Sequence, residues 1–426
     1  MSDPDGETQA AARKRPIAVL RHRPLALWIA SRVASGTGGT LLRTVVAWQL
    51  FQITGSELSL GILGIIQFVP ALLTSLIGGA AADAWNRRKI VIVAQAMPLV
   101  ASFAAAWFTE RAWVDDLVIY AVVGCCAFAM AFEAPARAAT LPNLVPREEF
   151  SAAVTVYTTF QSLAFVTGPA VGGLLLGHTS IAVAYVVSGV LYATSMGLVT
   201  LVATGQARGE RKRVTLTQIR EGLAFVRRKP AVLGAMALDM FAVIFAGATA
   251  LLPVYAEKVL HVGAKGYGLL AASLDIGALV TSLALVALPP IRRLGRALLV
   301  AVTLYGLATI AFGLSRSFPL SVAAYIAVGM ADQVSVVIRS TLIQMSTPDE
   351  LRGRVSSIGM IFIGASNQLG AAEAGFLAAA TSATFAVVSK GAACLFVMAI
   401  VALRVTQLRR FAIDDQGRVT TSDVSA

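Results

Sequence analysis

Apolar residues run along this chain in blocks of about twenty, broken by short polar segments. At 1.5 Å rise per residue, a helix of roughly that length crosses the hydrocarbon core of a bilayer. The pattern predicts spans near 25–50, 58–82, 90–108, 116–134, 151–176 and 181–203. Beyond a polar stretch come spans near 231–256, 266–288, 297–315, 319–338, 355–380 and 384–404. The organisation expected is a polar tail (1–24) with no apolar run that would read as a signal peptide, a first six-helix half (25–203), a linker (204–230), a second half (231–404) and a second tail (405–426). Within the linker, Leu216, Ile219, Leu223 and Val226 recur at helical spacing opposite Gln218 and Arg220. That portion fits a helix on the membrane surface or a solvated connector.

The halves repeat. Arg21, His22, Arg23 and Pro24 match Arg227, Arg228, Lys229 and Pro230, and Gly61 pairs with Gly268. Further along, Arg137 pairs with Arg339 and Pro146 with Pro348, so four anchors share an offset of a little over 200 residues. Two parallel six-helix units related by an axis along the membrane normal suit a transporter that rocks about a midplane site. The predicted fold class is an all-α membrane protein with twelve transmembrane helices in two pseudo-symmetric halves.

Composition narrows the function. Of 426 residues 57% are hydrophobic and only 14% charged, too little polar surface for several soluble domains. The formal charge of +12 would suggest nucleic acid in a soluble protein, but here the basic residues sit between apolar runs with no aromatic platform beside them. Of the Lys and Arg residues, 28 lie on the side of the termini and four (Arg111, Lys258, Lys265 and Arg316) on the other, which predicts cytoplasmic termini. The expected location is a bacterial inner membrane. Cys125, Cys126 and Cys394 lie in apolar runs without histidine companions, so neither metal nor disulfide is expected, and no cofactor is. No G-x-x-x-x-G-K-S/T stretch occurs, and His22, His178 and His261 lie outside the spans, so a nucleotide-driven pump and a membrane enzyme are disfavoured.

Three groups of residues are candidates for function. After the second span come Gly79, Asp83, Arg87 and Arg88, readable as a cytoplasmic latch facing a helix N-terminus in the other half, or as an ordinary basic turn. In the fifth span Gly168, Pro169, Gly172 and Gly173 place a kink among small residues that admit a close neighbour. The third group is intramembrane charge: Arg32 and Arg43, three turns apart on one face of the first span, then Asp239, Asp275, Asp332, Arg339, Glu373 and Lys390. Such residues serve a wet substrate and proton pathway, or pair with one another to fix helix register.

The loop after span two resembles the signature G-x-x-x-D-R-x-G-R-R of the major facilitator superfamily, with Ala84 and Asn86 at two departures. The run from Ala164 to Gly173 is similar to the helix-five element of the superfamily's antiporters, which implies export rather than uptake. "TGSELSLGILGIIQFVPALL", "LPNLVPREE", "IREGLAFVRRKP" and "TPDELRGRVSS" resemble its enterobactin-exporter-like and macrolide-efflux-like branch, the transmembrane secretion effectors. The resemblance implies a monomeric secondary transporter exporting a small molecule in exchange for protons; uptake by the same fold is the alternative. Two departures bear on coupling: the fourth span has no mid-helix Arg, and the first span reads Ser35 to Gly39 where relatives carry an acid.

Overall fold

The computed structural model describes residues 16–202, 229–289 and 291–412. The linker's amphipathic portion lies outside them. We number the long helices α1 (Arg23–Thr54), α2 (Glu57–Ala84), α3 (Arg87–Glu110), α4 (Asp116–Thr140), α5 (Phe150–His178), α6 (Ile181–Leu201), α7 (Pro230–Ala246), α8 (Gly263–Ala287), α9 (Leu294–Leu314), α10 (Phe318–Ser346), α11 (Asp349–Ala380) and α12 (Ala383–Arg404). Among the described residues, eight helical segments are long and apolar enough to cross a membrane: α3, α4, α5, α6, α8, α9, α10 and α12.

Helix limits follow local chemistry. Asn86, Asp115, Ser180 and Ser382 cap α3, α4, α6 and α12, each side chain accepting a backbone N–H that the first turn leaves unpaired. At the end of α1, Gly55 takes φ +60° and its N–H closes onto Phe51 O at 2.8 Å. One expected span is shorter than its hydrophobic run. The seventh, expected to reach 256, ends as α7 at Ala246, and the chain continues through a 3-10 turn (Thr249–Leu251) and a π turn (Tyr255–Val259). Gly247 is a poor helix former, and Pro253 lacks an N–H and crowds the carbonyl four residues back; hydropathy registers neither effect.

In the first six helices, α1 packs on α5 and α6, α2 on α4, and α3 on α4 and α6. Each of these pairings recurs six helices later: α7 on α11 and α12, α8 on α10, α9 on α10 and α12. Two further pairings, α2 with α11 and α5 with α8, join the sets. They use glycine against glycine. A Cβ at Gly173 would overlap the backbone of Gly268, and one at Gly375 the backbone of Gly61. Without side chains the helix backbones touch, and contact at that range supplies dispersion energy and excludes lipid.

Among the described residues, the specific contacts between the sets gather at one end, the end holding Gly55, His178, Val259 and Thr381. Lys258 Nζ donates to Gly55 O (3.0 Å) and pairs with Glu57 Oε1 (2.8 Å). Below this rim Tyr267 donates to Thr44 O (3.1 Å), and its ring stacks on Trp48 at 5.1 Å. Among the described residues this end is closed.

Candidate functional site

The most concentrated polar chemistry among the described residues lies inside the first six helices. Arg137, on α4, donates from Nε to Glu133 Oε1 at 2.6 Å, the i,i+4 spacing that puts both on one face. Their side chains are 2% and 8% exposed, so the pair is buried. Gln95 Nε2 on α3 donates to the same carboxylate oxygen at 2.9 Å. The guanidinium spends its other donors on hydroxyls: Ser31 Oγ (3.0 Å) and Ser35 Oγ (3.4 Å) of α1, and Ser195 Oγ (3.3 Å) of α6. Its face lies over the Trp28 ring, 5.0 Å from the centroid. One charged pair therefore ties four helices, α1, α3, α4 and α6. Sequence reasoning made neither a site residue: Arg137 served as a repeat anchor and a cytoplasmic loop charge, and Glu133 as an acid near the end of the fourth span; α4 runs six residues past the expected span and carries Arg137 inside. Arg339, counted both with these loops and among the intramembrane charges, is buried within α10. Removing both still leaves 26 basic residues against four.

Beside this network a cavity opens against α1, lined by Arg32, Arg43, Gln67, Glu133, Phe165 and Tyr192 among others. Arg32 Nε donates to the neutral Gln161 Oε1 at 3.2 Å, with its guanidinium 5.9 Å from the Phe165 ring centroid. Arg43 is exposed and makes no ion pair among the described residues. Asp275 on α8 lies within electrostatic range of Arg43 on α1, and Asp332 on α10 within range of Asp275. Neither acid has an ion-pair partner among the described residues.

Lys390 and Glu373 behave differently. The Lys390 ammonium on α12 pairs with the Glu373 carboxylate on α11 and donates to Ile244 O (2.7 Å) and Gly370 O (3.0 Å), which satisfies all three of its donors. Burying an ammonium this way pins α7, α11 and α12 together.

In the α5 motif, Gly168 lies against Thr37 and Thr40 of α1, Gly172 against Thr44, and Gly173 against Gly268. The glycines thus serve two neighbours, α1 and α8, and α5 runs unbroken through Pro169. Of the loop motif, Arg87 Nη1 donates to Ala139 O at 2.7 Å and Arg88 to the carbonyl oxygen of Thr200. Both cations sit on carbonyls at helix C-termini, of α4 and α6, where the helix dipole is negative. The side chains of Gly79, Asp83 and Asp239 lie outside the described residues.

The family model for transmembrane secretion effectors matches residues 15–422. The chain belongs to that family, within the major facilitator superfamily. This transmembrane secretion effector is 27% identical over 399 residues to the multidrug efflux pump Tap of Mycolicibacterium fortuitum, covering 90% of this chain and 97% of that protein. It is 25% identical over 384 residues to the enterobactin exporter EntS of Escherichia coli, covering 90% and 92%. Its fold is similar to that of a bacterial homologue of the human lysosomal transporter Spinster, crystallised inward-facing and occupied: TM-score 0.72, 14% identity, 94% of this chain and 99% of that one. The secretion effector is a multi-pass membrane protein of a transporter class, consistent with a non-enzymatic role.

Proposed function

We propose that the protein is a proton-driven exporter of a small organic molecule, working by alternating access between halves 25–203 and 231–404, joined by the 204–230 linker. The carrying observation is the recurrence of the five principal helix pairings of the first set in the second, with the sets meeting through two glycine crossings at one end. Two similar bodies hinged at one rim suit a site exposed to one side at a time. In this reading α1, α2, α7 and α11 join the eight apolar segments as transmembrane spans, and the protein works as a monomer in a bacterial inner membrane. With the termini cytoplasmic, the closed end is the outer one. A periplasm-active reporter fused after Arg404 should stay silent, whereas strong activity would invert the assignment.

The names of Tap and EntS, a multidrug pump and a siderophore exporter, support export, as does the α5 motif. Cells lacking the protein should accumulate one small molecule inside, and cells overproducing it should secrete more of that molecule. Unchanged secretion with faster accumulation of an external nutrient would assign uptake instead.

For coupling, Asp275 and Asp332 are the intramembrane acids free of ion pairs among the described residues, and we assign proton transfer to them. Asp83 would latch the cytoplasmic end in the opposite state, with Arg87 and Arg88 bracing the turn. Asp275→Asn and Asp332→Asn should give stable protein that exchanges substrate down its gradient but fails to export it uphill. Export untouched by an uncoupler, or at wild-type rates in both variants, would rule out proton coupling through these residues.

A further inference from the structure

We propose that the cavity beside α1 binds an organic anion, its acidic group held between Arg32 and Arg43 and its apolar body against Phe165, Met130 and Val122. The inference rests on the transport reading and names its substrate class. An arginine within the membrane needs a counterion, water or a ligand, because leaving the cation dry costs several kcal/mol. This chain shows what a structural intramembrane cation looks like. Lys390 has a carboxylate and two carbonyls, and Arg137 has a carboxylate, three hydroxyls and an aromatic face.

The two cavity arginines are built otherwise. Arg32 bonds to a neutral amide, and Arg43 has no carboxylate in contact among the described residues. The one acid lining the same cavity, Glu133, is in contact with Arg137 and reaches Arg32 only at longer range, so one carboxylate answers three guanidinium groups. Among the described residues the first set of helices therefore keeps a net two positive charges around this cavity. Asp275 is the group whose charge reaches Arg43 from the opposite set, at a range longer than an ion pair. Eleven residues separate the arginines, about 16 Å along the helix, yet both side chains line one cavity. An acidic group placed between them is attracted from both ends of the cavity, and the guanidinium fork matches carboxylate, sulfonate or phosphate oxygens in pairs. Phe165, Met130 and Val122 complete an apolar flank for the remaining body.

The test is equilibrium binding to the full-length protein in detergent, using naphthalene-2-carboxylate and its charge-reversed counterpart naphthalene-2-methylammonium. The wild type should bind the carboxylate at least tenfold more tightly. Arg32→Gln and Arg43→Gln should each weaken carboxylate binding about tenfold or more, with Lys substitutions losing less because the charge remains. Where a Gln variant is not recovered as monodisperse protein, the matching Lys variant and the wild-type charge preference decide. Asp275→Asn, which removes the carboxylate that competes for Arg43, should tighten carboxylate binding; weakening equal to that of Arg43→Gln would make Arg43 a structural partner of Asp275 and overturn the proposal. So would no saturable carboxylate binding, equal binding of the ammonium, or undiminished binding in Arg32→Gln/Arg43→Gln. Carboxylate binding by a protein that moves nothing in cells would sink the transport reading and leave the anion site standing. Export of cations with ammonium binding would do the reverse.

Discussion

Gly268→Ala should open the end of the molecule at which the two sets of helices meet. The added methyl would fall on the backbone of Gly173, and backbone cannot rotate away as a side-chain tip can. Overpacking of this kind costs about 1–3 kcal/mol, borne by the closed state alone, so the population should shift by roughly 5- to 150-fold towards the state open at this end. Gly375→Ala, against Gly61, should act in the same direction. Gly197→Ala is the control: nothing lies within 4 Å of a Cβ there, and in a helix interior Ala is favoured over Gly by about 1 kcal/mol. Spin labels at Ser56 and Glu257, either side of the rim, should report a longer distance in the first two variants and an unchanged one in the control. Identical distance distributions in all of them would mean that the glycine crossings do not set the conformational balance.

The buried pair on α4 carries the largest expected effect on stability. Arg137→Gln leaves the Glu133 carboxylate buried with only Gln95 as a donor, and Glu133→Gln leaves the guanidinium with hydroxyls and a ring but no countercharge. Breaking a buried pair from one side typically costs about 3–5 kcal/mol, because the survivor is an uncompensated charge. Each single variant should therefore melt well below the wild type in detergent and be recovered in lower yield. Glu133→Gln/Arg137→Gln, which buries no charge, should melt above either single variant. Single variants that melt with the wild type would show that the network does not hold these helices.

What could be read from sequence follows from what each signal measures. Run length located the long helices to within a few residues at most ends, because crossing a bilayer is a demand on total hydrophobicity. It extended the seventh span past Gly247 because hydropathy does not see a proline's missing N–H. It placed Arg137 in a loop because a charge near the end of an apolar run resembles a flanking anchor. The signal against that was the four-residue spacing from Glu133, which lets one helix face carry its own countercharge. The glycine crossings were half legible: Gly173 stood out within the α5 motif and Gly61 and Gly268 as a repeat pair. Their true partners, Gly268 for Gly173 and Gly375 for Gly61, emerge only once the two sets are packed. The cavity arginines were visible as intramembrane charges, but pairing decides their role, and pairing is a property of three dimensions.

The placement of Glu133 and Arg137 on a single helix also bears on biogenesis. Membrane helices leave the translocation channel in order, and a lone charge weighs against each partition into lipid. Helix α4 arrives carrying its own counterion, so it can enter lipid before α6 supplies Ser195. Lys390 has no such partner on its own helix; its carboxylate is on α11, the helix synthesised just before. With α11 and α12 as the last two spans of the proposed arrangement, they are expected to enter as a hairpin, and a chain truncated between them would leave Glu373 without its cation.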